Sequence, residues 1–190
     1  VLPTNWQCVQ NNLVGPYANL RDADLTGTNL SGADLSYVHA TYLQGCPAVL
    51  PTNWQCINDN LVGPNANLRH ADLNNADLTG ADLEGADLRY ANLRYADLTD
   101  ADLSDAYLWN TNLGYADLTD ADLSNAYLSY VSLSYANLTG ADLSNADLSS
   151  VYLHYTDLTN ADLSYANLRS AVLVNTTLHS ADLTGADLSG

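Results

Sequence analysis

The chain has 190 residues, enough for one domain, and a formal net charge of −17: 22 acidic residues stand against five arginines, with no lysine. Nothing in it neutralises phosphate, which argues against direct binding to nucleic acid or to an anionic membrane. There is no apolar run long enough to insert in a membrane, no signal peptide and no methionine, so Val1 is not an initiator and the chain reads as a mature product or a piece of something longer.

In chain order, four segments separate. Residues 1–15 are a cysteine-containing stretch outside any repeat. Residues 16–42 carry a leucine every five residues, at Leu20, Leu25, Leu30 and Leu35, with Ala40 in the next slot. Residues 43–65 break the beat, and 66–190 restore it without a miss from Leu68 to Leu188. The break has a source. LPTNWQCVQNNLVGPYANLRDADL at 2–25 returns 48 positions later as LPTNWQCINDNLVGPNANLRHADL, with 19 of 24 residues identical. Because 48 is not a multiple of five, the second copy has to leave the regular path, and its Pro, Gly and Asn favour turns.

A spacing of five suits neither common structure. On a flat strand such leucines would alternate faces, and on an α-helix each would sit roughly 140° round from the last. If the chain instead turns about 90° per repeat, each leucine and the small residue two before it enter one shaft. Four repeats then close a square coil of 20 residues, stacked at about 4.8 Å. Residues that depart from the pattern recur at that period: Thr111, Val131 and Val151; Thr156 and Thr176; and Tyr95, Tyr115, Tyr135 and Tyr155. Leu68, Leu88, Leu108, Leu128, Leu148, Leu168 and Leu188 are expected to fill one column of the core, since stacked coils bury what a single coil cannot.

The A-(D/N)-L-x-x pattern, over about 16–42 and 66–190, resembles the pentapeptide repeat proteins. The resemblance implies an all-β fold, a right-handed quadrilateral β-helix with four repeats per coil; the main block would hold about six coils over roughly 30 Å. It implies no single function. Some members inhibit DNA gyrase by imitating DNA, and many others, abundant in cyanobacteria, have no assigned role.

Cys46 and Cys56 bracket the insertion. A disulfide between them would contribute about 2–3 kcal/mol; the competing reading is three free thiols. Shifted by 48, Cys8 matches Cys56, while the counterpart of Cys46 falls three residues before Val1, so the partner of Cys8 is expected on an upstream segment. A disulfide favours an oxidising compartment, the periplasm or a thylakoid lumen. Similar cysteine-bearing segments belong to secreted or membrane-attached cyanobacterial members, one of which serves heterocyst glycolipid localisation. No metal or cofactor site is expected, because three cysteines and scattered histidines lack ligand spacing.

Sorted by place in a 20-residue coil, the outward residues of 66–190 divide. Fourteen of the 18 acidic residues fall on two faces, including a column from Asp82 to Asp182. Carboxylates that close should repel, raising some pKa values or gathering cations. The other two faces hold Arg69, Arg89, Arg94 and Arg169 and nearly all the aromatics. Tyr95, Tyr115, Tyr135, Tyr155, Tyr107, Trp109, Tyr127, Arg89 and Arg94 form a candidate interaction surface, weighed against a ladder that only stiffens the rod. No nucleophile–base pair stands out, so no catalytic residue is assigned. The leading reading is a non-catalytic scaffold that presents these faces to a protein partner of unknown identity; the alternative is a DNA-imitating gyrase inhibitor. The last coil should expose unpaired edges and leucines, which also allows end-to-end self-association.

Overall fold

The computed structural model describes Pro3 and Asn5–Gly190; Val1, and Leu2 and Thr4 at the start of the first 24-residue copy, lie outside the described residues. No helix occurs among the described residues, and the architecture is all-β. From Asn67↔Asp87 to Asn167↔Asp187, a parallel bridge forms every five residues, each joining positions 20 apart. The chain is therefore a solenoid whose layers pair edge to edge.

One repeat shows why this sequence takes this path. In 86–90, the Ala86 N–H donates to Leu83 O at 3.0 Å, closing a turn whose third residue, Gly85, has φ 63°; Tyr90, φ 64°, is the third residue of the next turn, closed by Ala91 N–H to Leu88 O at 3.0 Å. A bond between residues three apart, with positive φ only at the third residue, is a type II turn, and it recurs at each repeat of 66–190. Asp87 N–H donates back to Ala66 O (2.9 Å), while Leu88 and Tyr90 N–H donate forward to Tyr107 O and Trp109 O (2.8 and 3.2 Å). The fifth donor, Arg89 N–H, is accepted by the Asp87 carboxylate at 3.3 Å. Every backbone donor of the repeat is used, as a buried or ladder-forming backbone requires. The Asp or Asn of the motif is thus a structural acceptor two residues before its donor, the Asx arrangement.

Ala and Leu of each repeat face the axis. Leu68 through Leu163 are at most 1% exposed, so the shaft is dry and continuous. Burying side chains of this kind contributes roughly 1.5–3 kcal/mol each before the ordering cost. Threonines that replace the small alanine do not leave a polar group stranded: Thr111, Thr156 and Thr176 hydroxyls donate to Leu88, Leu133 and Leu153 carbonyls at 2.8, 2.7 and 2.6 Å. Val131 and Val151 simply fill the slot, both fully buried.

The two copied segments are antiparallel hairpins. In the first, β1 (Gln7–Val9) pairs with β2 (Asn12–Val14); in the second, β3 (Gln55–Ile57) pairs with β4 (Asn60–Val62). Each sits on the coil that follows it by equivalent bonds. Asn5 and Asn53 reach Asp34 and Asp82, and Gln10 and Asn58 reach the carbonyls of Thr26 and Asn74. In both, a tryptophan covers a glycine so closely that a Cβ would collide with the indole: Trp6 on Gly15, Trp54 on Gly63.

Residues 43–65 belong partly to the solenoid and partly to this hairpin. Gly45 and Val49 bridge to Asp24 and Asn29, so the coil runs on to about residue 50. The first of these bridges spans 21 residues, the only extra residue in the short block's pairing. Beyond it β3 and β4 are inserted. The core is correspondingly in two clusters, one from Val14 to Leu61 and one from Val62 to Leu168, with Trp54 packed against both.

Candidate interaction surface

The side-chain columns of the tube follow from its pairing, because residues 20 apart lie directly over one another. Tyr95, Tyr115, Tyr135 and Tyr155 form one such column, with ring centroids 5.0, 4.7 and 4.9 Å apart and planes within 28°, 4° and 6°. These are stacking distances, set by the spacing of strands. Arg94 lies over the first two rings at 4.6 and 4.9 Å. All four rings are about half exposed.

Tyr107 and Tyr127 stack in a second column at 5.0 Å. Arg89 lies 5.7 Å from the Tyr107 ring and is fixed from the other side by Asp87, whose two oxygens accept from Nε and one terminal nitrogen at 2.7 and 2.6 Å. Arg69 also approaches Asp87, at 3.7 Å. Burial pushes the Asp87 carboxyl up, but its bonds from Arg89 and the charges of both arginines outweigh that and hold it below the ordinary value. Trp109 sits between Tyr90 and Tyr130, edge-on to both at 4.9 and 6.3 Å. The nine residues singled out from the sequence therefore occupy columns of two successive repeats, in three clusters.

Tyr90 and Tyr130, which complete the Trp109 cluster, were not among them. Neither were Tyr17 and Tyr37, stacked at 4.7 Å on the short block. A hollow of about 250 Å³ separates that pair from Tyr107, with Asn67, Asp87 and Arg89 in its lining. The period of 20 could not link Tyr17 and Tyr37 to the main columns, because the hairpin shifts the count by eight residues.

The tyrosine column carries a backbone cost that periodicity alone hides. Its members have φ of 57–64°, the left-handed region. Elsewhere the same position of the repeat is mostly Gly, Asn or Asp, such as Gly80, Asn125 and Asp105. Those residues enter the left-handed region readily; a bulky side chain does so at roughly 1–2 kcal/mol. A stacked aromatic pair contributes about 0.5–1.5 kcal/mol beyond its area. The two effects are of one size, so the ladder is close to neutral for the fold.

On the acidic sides the expected upward pKa shift meets a correction. Asp97 and Asp182 lie below the ordinary carboxylate value, because hydroxyl and backbone groups of Thr99 and Thr184 donate to them. At these two carboxylates the Asx bond that shapes the turn stabilises the charged form, so local hydrogen bonding outweighs repulsion from the next layer. Among the described residues no three His, Cys, Asp or Glu side chains converge to hold a metal.

Cys46 and Cys56 form a disulfide, Cα–Cα 5.9 Å, which ties the end of the short block to β3. Cys8 is a free, exposed thiol. Leu68, Leu88, Leu108, Leu128, Leu148 and Leu168 are at most 3% exposed, and Leu188 is 50% exposed.

The sequence profile of the family described as pentapeptide repeats matches in eight copies over residues 16–43 and, in overlapping stretches, 66–190, and the chain belongs to that family. Pentapeptide repeat proteins are generally non-catalytic structural modules. A comparison with curated proteins finds no match. Among solved structures, the chain is similar to the pentapeptide repeat protein Rfr23 from the cyanobacterium Cyanothece 51142 (38% identity over 45% of this chain, TM-score 0.45) and spans 58% of that protein's chain. HetL, a pentapeptide repeat protein involved in heterocyst differentiation regulation from Nostoc sp. strain PCC 7120, is 33% identical over 93% of this chain and 85% of its own, with TM-score 0.37. A trypsin-treated variant of QnrB1, a plasmid-mediated fluoroquinolone resistance protein, is 23% identical over 90% of this chain and 88% of its own, with TM-score 0.59.

Proposed function

We propose that this protein is a non-catalytic interaction module: a right-handed quadrilateral β-helix, four repeats to a coil, whose aromatic side is a docking surface for a protein partner. The observation that carries the reading is the tyrosine column at left-handed backbone positions. Asn or Gly would serve the fold there at least as well, so a half-exposed aromatic ladder flanked by Arg94 and Arg89 has its use outside the fold. Tyr, Trp and Arg are the residues that interfaces concentrate. The disulfide supports an extracytoplasmic setting, periplasm or thylakoid lumen. In domain terms, residues 1–15 are a cysteine-containing non-repeat segment, 16–42 the short repeat block, 43–65 the disulfide-bracketed insertion and 66–190 the presenting rod.

The test separates surface from scaffold. Tyr115→Asn with Tyr135→Asn should shift the melting midpoint by only a few degrees, because Asn tolerates positive φ, and should abolish capture of a partner from source lysate. Loss of stability with capture intact would overturn the reading. The alternative, a DNA-imitating gyrase inhibitor, is favoured by one observation, the carboxylate columns on two sides. Gyrase supercoiling with added protein distinguishes it: inhibition at micromolar concentration supports imitation of DNA, and full supercoiling activity removes it.

A further inference from the structure

The two hairpins are the same object in two surroundings, and the second shows what the outer face of the first is shaped to hold. On the second, residues 40–46 lie along the β3–β4 turn and the start of β4. Leu61 N–H donates to Ala40 O and Leu43 N–H to Asp59 O, both at 2.8 Å, and Cys56 is bonded to Cys46. Leu61 is 1% exposed beneath this contact. Its counterpart on the first hairpin, Leu13, is 51% exposed. The register is identical, Cys8 facing Leu13 as Cys56 faces Leu61. So the Leu13 N–H and the Asn11 carbonyl occupy the places of the Leu61 donor and the Asp59 acceptor, and among the described residues neither has a backbone partner outside its hairpin. Cys8 completes the correspondence as the free thiol.

We propose that the outer face of the first hairpin is a docking site for the end of a pentapeptide coil on a segment outside residues 1–190, one carrying a cysteine in the place Cys46 holds here, and that Cys8 closes the contact as a disulfide. The occupant is specified by the chain's own junction. It accepts from Leu13 N–H and donates to the Asn11 carbonyl, covers Leu13 with small and aliphatic side chains such as Ala40 and Leu43, and delivers a sulfur opposite Cys8. Strand addition of this kind takes affinity from main-chain bonds and specificity from the pocketed side chains.

The probe is a synthetic peptide of residues 37–50 whose cysteine sulfur is held as a mixed disulfide with 2-thiopyridine. The Cys8 thiolate attacks the peptide's sulfur. The new S–S bond forms as the bond to thiopyridine breaks, and the leaving thiolate takes a proton from solvent and absorbs as the thione. Cys8 is the one free thiol of the chain, so release reports on it alone. The native peptide is expected to react at least ten times faster than the same residues in scrambled order with the full chain, and Leu13→Asp should erase that advantage. Dithiodipyridine, too small to read the surface, should label the chain and Leu13→Asp at equal rates, which checks that the variant keeps its hairpin. Equal rates for native and scrambled peptides, or an advantage that survives Leu13→Asp, would overturn the proposal.

Discussion

The first hairpin and the second share 19 of 24 residues in their parent segments and the same seat on the coil below, yet one lies at an end of the described tube and the other inside it. Inside, the hairpin is clamped on both sides: Trp54 packs against both core clusters, and a disulfide fixes the far side. At the end, Trp6 packs against one cluster only. Equal sequences therefore do unequal work, and the difference lies in what each is stacked against.

The largest expected effect contrasts the two leucines. Leu61→Ala removes a side chain buried at the junction and should lower stability by about 2–4 kcal/mol, whereas Leu13→Ala, already half exposed, should cost less than about 1 kcal/mol. Urea unfolding of both variants gives the ratio; equal losses would show that the junction carries no special burden. Next comes the cross-link. Cys46→Ser with Cys56→Ser should cost about 2–3 kcal/mol, and Cys8→Ser nothing measurable, read from melting under oxidising conditions.

The smallest effect is electrostatic and lies on the main block. The Asp87 carboxyl is lowered in the fold, so its stabilising contribution is complete above its unfolded value near 3.9 and is lost as the pH falls through the lower folded value. Asp87→Asn should cost about 1 kcal/mol at pH 7, and the gap from the parent protein should close below about pH 4. A gap that persists at pH 2 would assign the loss to packing instead of to the Arg89 pair.

The fold class and the solenoid were legible because a leucine every five residues leaves few backbones that can bury it. Tyr95 to Tyr155 were legible as a column for the same reason, since periodicity survives in the letters. What the letters hid was conformational. That Tyr95 and Asn110 share a left-handed position could be inferred only by noticing that Gly, Asn and Asp dominate that slot, and Asp87 reads as surface charge until its bond to the Arg89 N–H is seen. The hairpins were less visible still. QCINDNLV has no two-residue Asn-Gly or Asp-Gly signal, and its turn uses positive φ at Asn58 and Asp59 instead.

The use of every backbone donor within the repeat has a consequence for how such a chain meets other molecules. A flank with no spare amide offers no template for a neighbour's strand, so crowding of many copies side by side should not seed fibrils. Recognition along the length must be written in side chains alone, which leaves that lettering free to change while the tube beneath it stays the same.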